Sequence, residues 1–372
     1  MSADDSTTPP ETSPADKGIG LPWWTLAFPV LGVVAVLVNL AKLGTLGTIA
    51  AAVILIGSVL AAVHHAEVVA HKVGEPFGTL VLAVAVTVIE VSLIVSLMLS
   101  DAGDASTLAR DTVFAAIMII VNGIVGLCLL SGGVRFREQR FTLRGVSASL
   151  NVLVAMSVLT LVLPNFVESA PGPAYAPSQL VFVAIVSLIL YGTFVLVQTV
   201  RHRSYFLPEG GAEEEHADPP ATRTAWAAFG VLLIALVGVV LLAKGLAATV
   251  EKAVLGAGLP LAVVGVVIAG VVLAPESLAA WRAARRNRLQ TSLNLALGSA
   301  LASIGLTIPS VAVVSLVLGL PLALGIGAKG LTLLVLSLFS ITLSLGTGRT
   351  TILGGVVHLV IFAVYLFVTV VP

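Results

Sequence analysis

Cysteine is almost missing from this chain: Cys128 is the single one in 372 residues. Neither an intrachain disulfide nor a cysteine-built metal site is therefore open to it. Lying in an apolar segment, Cys128 reads as a small buried hydrophobe. Charge is scarce too. Only 10% of residues are Asp, Glu, Lys or Arg, and the 19 basic and 19 acidic side chains cancel. Zero net charge argues against a nucleic-acid partner. So few charges cannot clothe a soluble domain of this length. A basic leader is lacking as well, so the polar start does not read as a signal peptide. Residues 1–21 read instead as a disordered cytoplasmic tail.

What the chain does have is apolar sequence, with 58% hydrophobic residues and a mean hydropathy of +1.10. Eleven apolar segments stand out, at about 22–41, 46–70, 78–99, 112–131, 147–163, 178–199, 225–243, 254–276, 291–318, 328–346 and 351–371. Most approach the roughly 20 residues a helix needs to cross the hydrocarbon core. They do not alternate, which disfavours barrel strands. With the N-terminus placed in the cytoplasm, fourteen basic residues fall inside, among them Lys72, Arg135, Arg140, Arg201 and Arg288. Five fall outside: Lys42, Arg110, Lys244, Lys252 and Lys329. That bias is what the positive-inside rule demands, and it puts the C-terminus outside.

Two glutamates interrupt the apolar runs. Glu90 lies within Thr79–Leu99, and Glu276 lies at the end of Leu259–Ala274. An ionisable group in a spanning segment costs about 3 kcal/mol on insertion scales, so each is a candidate functional residue. Both are followed by a polar break and then by a helix opening on Arg-Asp-Thr (110–112) or Arg-Leu-Gln-Thr (288–291). Span 3 therefore matches span 8, and span 4 matches span 9. The expected fold is an all-α polytopic membrane protein of 11 transmembrane helices, with two inverted five-helix repeats and one extra N-terminal helix. The extra helix takes residues 22–45, the first repeat 46–200, an acidic cytoplasmic linker 201–224 and the second repeat 225–372. The linker carries Glu213, Glu214, Glu215 and Asp218. Five spans per unit turn the second unit upside down, and such repeats place their site at the midplane between them.

Around the glutamates stand candidate neutral ligands. Thr87 lies three residues before Glu90, on the same helical face. Pro275 precedes Glu276 and reads either as a helix end or as a source of released carbonyls for a hard cation. In span 9, Ser292, Ser299, Ser303 and Thr307 share one face, and Gln290 and Asn294 take the opposite one. Asn294 and Ser299 are placed near the ion with Ser303, and Asn122 of span 4 is a further candidate. Two carboxylates match the charge of Ca²⁺, which takes about six to eight oxygens. With no cation bound, the same two acids repel each other in a poorly solvated site, and protons are the natural replacement. A second cluster, His64, Glu67 and His71 on one face of span 2 with His65, Lys72 and Glu75 nearby, reads as an interfacial surface or as a cytosolic pH sensor. Its spacing is not HExxH, and a membrane metalloenzyme would need a further ligand that the sequence does not offer. His358 in span 11 reads as a packed residue.

The stretch His64-His65-Ala66-Glu67 through Gly74-Glu75-Pro76-Phe77-Gly78-Thr79 to Glu90 resembles bacterial calcium/proton antiporters of the calcium:cation antiporter superfamily. So do Ala274-Pro275-Glu276-Ser277, Asn287-Arg288-Leu289-Gln290-Thr291-Ser292-Leu293-Asn294, Gly298-Ser299 and Gly348-Arg349-Thr350. The resemblance covers nearly the whole chain after residue 21. It implies two α-repeats in an alternating-access exchanger, with the acidic ion positions falling on Glu90 and Glu276. Where the wider superfamily often has Gly-Asn ahead of the first glutamate, this chain has aliphatic residues and Thr87. Where an Asn often follows Gly-Ser in the second repeat, it has Ser303. The expected function is Ca²⁺/H⁺ exchange at the bacterial cytoplasmic membrane, with Na⁺/H⁺ or K⁺/H⁺ antiport as the alternative and a passive channel as a further class. No enzymatic activity and no cofactor are expected. The partners are the transported cation, protons and lipid, and nothing in the sequence specifies an oligomeric state.

Overall fold

The computed structural model describes residues 21–74, 77–99, 105–207 and 219–371. The expected N-terminal tail up to residue 20, Glu75, and the linker acids Glu213, Glu214, Glu215 and Asp218 lie outside the described residues. The helices are α1 (Trp23–Leu37), α2 (Thr45–Val73), α3 (Phe77–Met98), α4 (Leu108–Phe136), α5 (Leu143–Asn165) and α6 (Pro177–Arg201). They continue with α7 (Thr222–Gly256), α8 (Ala262–Val272), α9 (Ala274–Arg285), α10 (Leu289–Leu318), α11 (Ala328–Leu345) and α12 (Ile352–Val370). Among the described residues, 9 helices are long and apolar enough to cross a membrane, or 10 if α8 and α9, bent by 57° at their junction, form one broken span. The apolar α1, with 15 residues, is shorter.

Most helix limits fall within a few residues of the apolar runs, but α7 does not. It runs on for 35 residues, through Lys244, Glu251 and Lys252, into the stretch expected to form a connection and the start of the next span. The stretch there contains Gly245 but no proline, and the helix stops only before Gly258, at φ 73°, and Pro260. Left-handed backbone of this kind is where glycine alone adds no strain. At roughly 50 Å, α7 is longer than the hydrocarbon core is thick.

Two packed bodies result. Helices α1, α2 and α7 pack on one another, and α3 and α8 lie against them. The larger core is built from α4, α5, α6 and α9 to α12, with α4 its most buried helix. The two bodies meet where α3 lies against α10 and α8 lies against α4, and α9 packs on α4 within the larger core. Both receiving helices carry a wide π-helical turn, Ile119–Ile124 in α4 and Ser303–Thr307 in α10. Such turns leave side chains out of the regular register and recur at functional sites.

Three connections meet on one face. The two-residue strands β1 (Gln139–Arg140) and β2 (Arg349–Thr350) pair antiparallel and tie the α4–α5 connection to the α11–α12 connection. Buried Gln139 also donates from Nε2 to the Ala284 carbonyl and to Asn287 Oδ1, both at 3.0 Å, which fastens the α9–α10 corner to the same point.

Close helix contact rests on small residues, the usual device in a membrane. A Cβ on Gly355 of α12 would collide with the Leu130 backbone nitrogen and stand 2.8 Å from the Gly126 carbonyl of α4. Backbone cannot yield as a side chain can. Gly355→Val should therefore cost about 1–3 kcal/mol and lower the thermal midpoint in detergent. Gly192→Ala, where nothing lies within 4 Å of the added carbon, should leave it nearly unchanged. Reaction of buried Cys128 with a fluorogenic maleimide reports the unfolding.

Candidate functional site

Helix α3 is apolar on all sides and runs unbroken past Glu90, so the carboxylate enters the interior with no backbone break to serve it. Only 2% of the residue is exposed. A buried carboxylate needs donors, and α10 supplies them. Ser303 Oγ lies 2.8 and 3.0 Å from the two oxygens of Glu90, and Thr307 Oγ1 donates to Oε2 at 2.6 Å. Ser303 and Thr307 are the first and last residues of the π-helical turn. Hydroxyls both donate and accept, so the same pair can serve a charged carboxylate or a protonated one.

Glu276 is built differently. The chain bends at Leu273, and Pro275 stands in the first turn of α9, where its missing N–H is no loss. Glu276 follows within that turn, on the positive end of the helix dipole. The Leu273 carbonyl accepts from both the N–H (2.9 Å) and the Oγ (2.5 Å) of Ser277. Glu276 Oε2 is buried without a hydrogen-bond partner. Its helix packs on the π-helical turn of α4, which is aliphatic except for Asn122 and Gly123. The Asn122 side chain is engaged elsewhere. Glu90 and Glu67 both act on the Glu276 charge through space.

Both acids line one cavity of about 300 Å³. Thr87, Thr291, Asn294, Gly298, Ser299 and Ser303 share its wall, and it extends to Gln198, Arg203 and Phe206 at the end of α6. Thr87 Oγ1 donates back to the Ala83 carbonyl at 2.7 Å. Asn294 donates to the Phe206 carbonyl at 2.6 Å and accepts from Gln290 Nε2 at 2.9 Å. Gln290 Oε1 in turn accepts from the Thr142 N–H at 2.7 Å. This chain of amides positions the cavity wall. The two faces expected of span 9 are corrected by the structure: Asn294 and Gly298 line the cavity together with Ser299 and Ser303. Ser292 is buried, and its hydroxyl lies outside that wall.

Asn122 is not in the cavity lining. It belongs to a second buried network, donating to Ser337 Oγ at 2.8 Å and meeting His358 Nδ1 through Oδ1 at 3.0 Å. His358 Nε2 lies 3.2 Å from Ser344 Oγ. His358 is thus tied into a polar chain across α4, α11 and α12, a link the sequence does not signal because the partners lie over 200 residues apart. The span 2 cluster divides as well. His65 is the buried member, 2.9 Å from the Thr25 carbonyl of α1, while His64 lies beside Trp24 and Glu67 and His71 are exposed. Among the described residues, no group of three or more His, Cys, Asp or Glu is placed to hold a metal ion. A cation at this site would rest on two carboxylates, neutral oxygens and water.

The family described as sodium/calcium exchanger protein matches residues 43–200 and 227–371. A Sinorhizobium fredii protein, y4hA, is 50% identical over 360 residues, which cover 95% of this chain and 97% of its own. The sodium-potassium/proton antiporter ChaA of Escherichia coli is 37% identical over 353 residues, 92% of this chain and 94% of its own. Among solved structures, the H⁺/Ca²⁺ exchanger CAX superposes with a TM-score of 0.70 at 16% identity, covering 92% of this chain and 87% of that one. At that identity the likeness is one of fold.

Thr307→Val removes a hydrogen bond from a buried carboxylate and should cost about 1.5–3 kcal/mol of stability. In a Glu90→Gln background the same change should cost less than about 1 kcal/mol, because the acceptor is then uncharged. Thermal unfolding of the four proteins of this double-mutant cycle measures the difference. Equal costs in both backgrounds would show that Thr307 does not serve the charge.

Proposed function

The chain belongs to the sodium/calcium exchanger protein family, and on that premise we propose that this multi-span membrane antiporter exchanges Ca²⁺ for protons at the cavity shared by Glu90 and Glu276. One observation carries the reading. Two acids, Glu90 buried and Glu276 half-buried with its Oε2 covered, line a single cavity among apolar helices, one from each half of the chain. Metal and protons compete for the same oxygens. Two carboxylates balance a divalent cation, and Thr87, Ser299, Ser303 and water complete a shell of about six to eight oxygens. When the cation leaves, two nearby charges in a poorly solvated site are costly, and protons replace it.

The packing of α3 on α10 and of α8 and α9 on α4, with a π-helical turn in each receiving helix, supports two inverted repeats. The family match in two blocks, 43–200 and 227–371, divides where the repeats would meet. With the basic connections in the cytoplasm, the cavity extends toward the cytoplasmic end of α6, so loading from that side is the step this conformation is shaped for. A second reading rests on the Escherichia coli relative, which is named a sodium-potassium/proton antiporter: exchange of Na⁺ or K⁺ on the same scaffold.

Proton efflux from acid-loaded everted vesicles, followed on a panel of added Ca²⁺, Na⁺ and K⁺ salts, separates the two readings. Glu90→Gln and Glu276→Gln should each lower cation-driven flux by at least a hundredfold. Retention of flux in both would overturn the site. Gly298 offers a second test. No atom lies within 4 Å of a Cβ built there, so Gly298→Phe fills the cavity without displacing the fold. Flux should fall at least tenfold while the thermal midpoint stays within a few degrees.

A further inference from the structure

The cavity shared by Glu90 and Glu276 has a stretch of wall that cation exchange between the two acids leaves unused. Beyond α6 the chain makes one tight turn, Arg203–Tyr205, and runs on through Phe206 and Leu207. Its neighbours hold that turn in place. Asn294 of α10 donates to the Phe206 carbonyl at 2.6 Å, and Thr142 Oγ1 donates to the Leu207 carbonyl at 3.2 Å. Phe206 is buried, edge-on to Phe194 at 6.0 Å. Tyr205 stacks on His202 at 4.8 Å, and the Arg144 guanidinium lies 5.5 Å from its ring centre. Helix α5 comes so close that a Cβ on Gly145 would collide with the Tyr205 carbonyl. From this anchored turn Arg203 lines the cavity.

Among the described residues of that lining, Arg203 is the one base, set against two acids. It stands at the mouth. Arg203 and Leu207 are exposed, whereas Glu90, at the inner end, is buried. Asn294, which holds the turn, fixes its depth. Along α10, Ser299 lies about 7.5 Å of helix rise beyond Asn294, and Ser303, which binds Glu90, about 13.5 Å beyond it. A cation that enters by this mouth passes a guanidinium before it reaches the hydroxyls.

We propose that Arg203 is a specificity-determining residue of the exchange site, a permanent positive charge in the cavity wall that weakens its preference for divalent over monovalent cations. The proposal rests on the exchange reading above and deepens it. Two carboxylates favour a divalent ion, because each acts on an ion in proportion to its valence. A guanidinium obeys the same law with opposite sign, and it stays charged at every physiological pH. At about 7.5 Å through water, one unit charge raises a monovalent ion by about one thermal unit and a divalent ion by about two. Occupancy then falls about threefold for the first and about sevenfold for the second. Ca²⁺ is held loosely enough to leave, and Na⁺ or K⁺ is penalised less.

The first arm of the test needs no transport. Cys128 is buried, so Thr291→Cys, in the cavity wall, supplies the reactive thiol. Purified protein in zwitterionic nanodiscs at low ionic strength is treated with cationic, anionic and neutral methanethiosulfonates. The neutral reagent reports whether the cavity has kept its shape, and the charged rates are read relative to it. Arg203→Gln should raise the relative cationic rate and lower the relative anionic rate by about threefold each. Arg203→Lys should restore both, and 0.5 M salt should erase the difference by screening. Unchanged relative rates would show that the Arg203 charge does not reach the cavity and would overturn the proposal. Transport is the second arm. In everted vesicles, Arg203→Gln should lower the half-saturating Ca²⁺ concentration about sevenfold and those of Na⁺ and K⁺ about threefold, and Arg203→Lys should leave them near the unmutated values. Equal shifts for the three ions overturn discrimination by valence. Absence of cation-driven flux in the unmutated protein, with labelling as expected, overturns the exchange reading and the selectivity role with it. Unshifted labelling with flux intact overturns the role of Arg203 alone.

Discussion

A carboxylate cannot be carried into an apolar helix bundle unless something on the far side of the chain receives it. Glu90 is received by Ser303 and Thr307, and that contact spans more than 200 residues of sequence. Burying the acid without its hydroxyls would cost several kcal/mol. The fold thus gains its site and its long-range registration from the same three side chains. The π-helical turn in α10 belongs to this constraint, because it begins and ends on the two donors.

The second acid is left unfinished. Glu276 stands in the first turn of α9, with one oxygen buried and unpaired and with two other acids acting on it through space. The aliphatic π-helical turn of α4 offers it nothing, since Asn122 is spent on Ser337 and His358. The two acids are therefore dressed unequally: one is satisfied by protein alone, and the other keeps a buried oxygen with no protein hydrogen-bond partner, the oxygen that the proposed exchange would fill from solution. That inequality suits a site that must bind and release. A pair satisfied equally by protein would have little to gain from a cation.

Much of this was legible in the sequence, because membrane insertion makes polar atoms conspicuous. The depth of Glu90 and Glu276, the break at Pro275 and the positions of most helices follow from hydropathy and from proline's missing N–H. The family resemblance rests on the same stretches. Details set by tertiary contact were not legible. Which face of α10 turns inward depends on the packing of α3 and α6: the cavity takes in a wide arc of the regular helix Leu289–Ala302, so Asn294 and Ser299, which spacing sets on opposite faces, share one wall. The length of α7 depends on the absence of a proline, whereas its charges read as a connection. His65 and His358 are tied to Thr25 and Asn122, partners that no local pattern announces.

The fastening at Gln139 has a mechanical consequence. By gripping the Ala284 carbonyl and Asn287 while its strand pairs with Arg349 and Thr350, it gathers three separate connections into a single knot. Helices α4, α5, α9, α10, α11 and α12 end at that knot, and none can slide along its axis there without dragging the rest. Under the proposed exchange, motion that changes which side of the membrane sees Glu90 is steered away from this face, into the seam where α3 and α8 lie against the larger core.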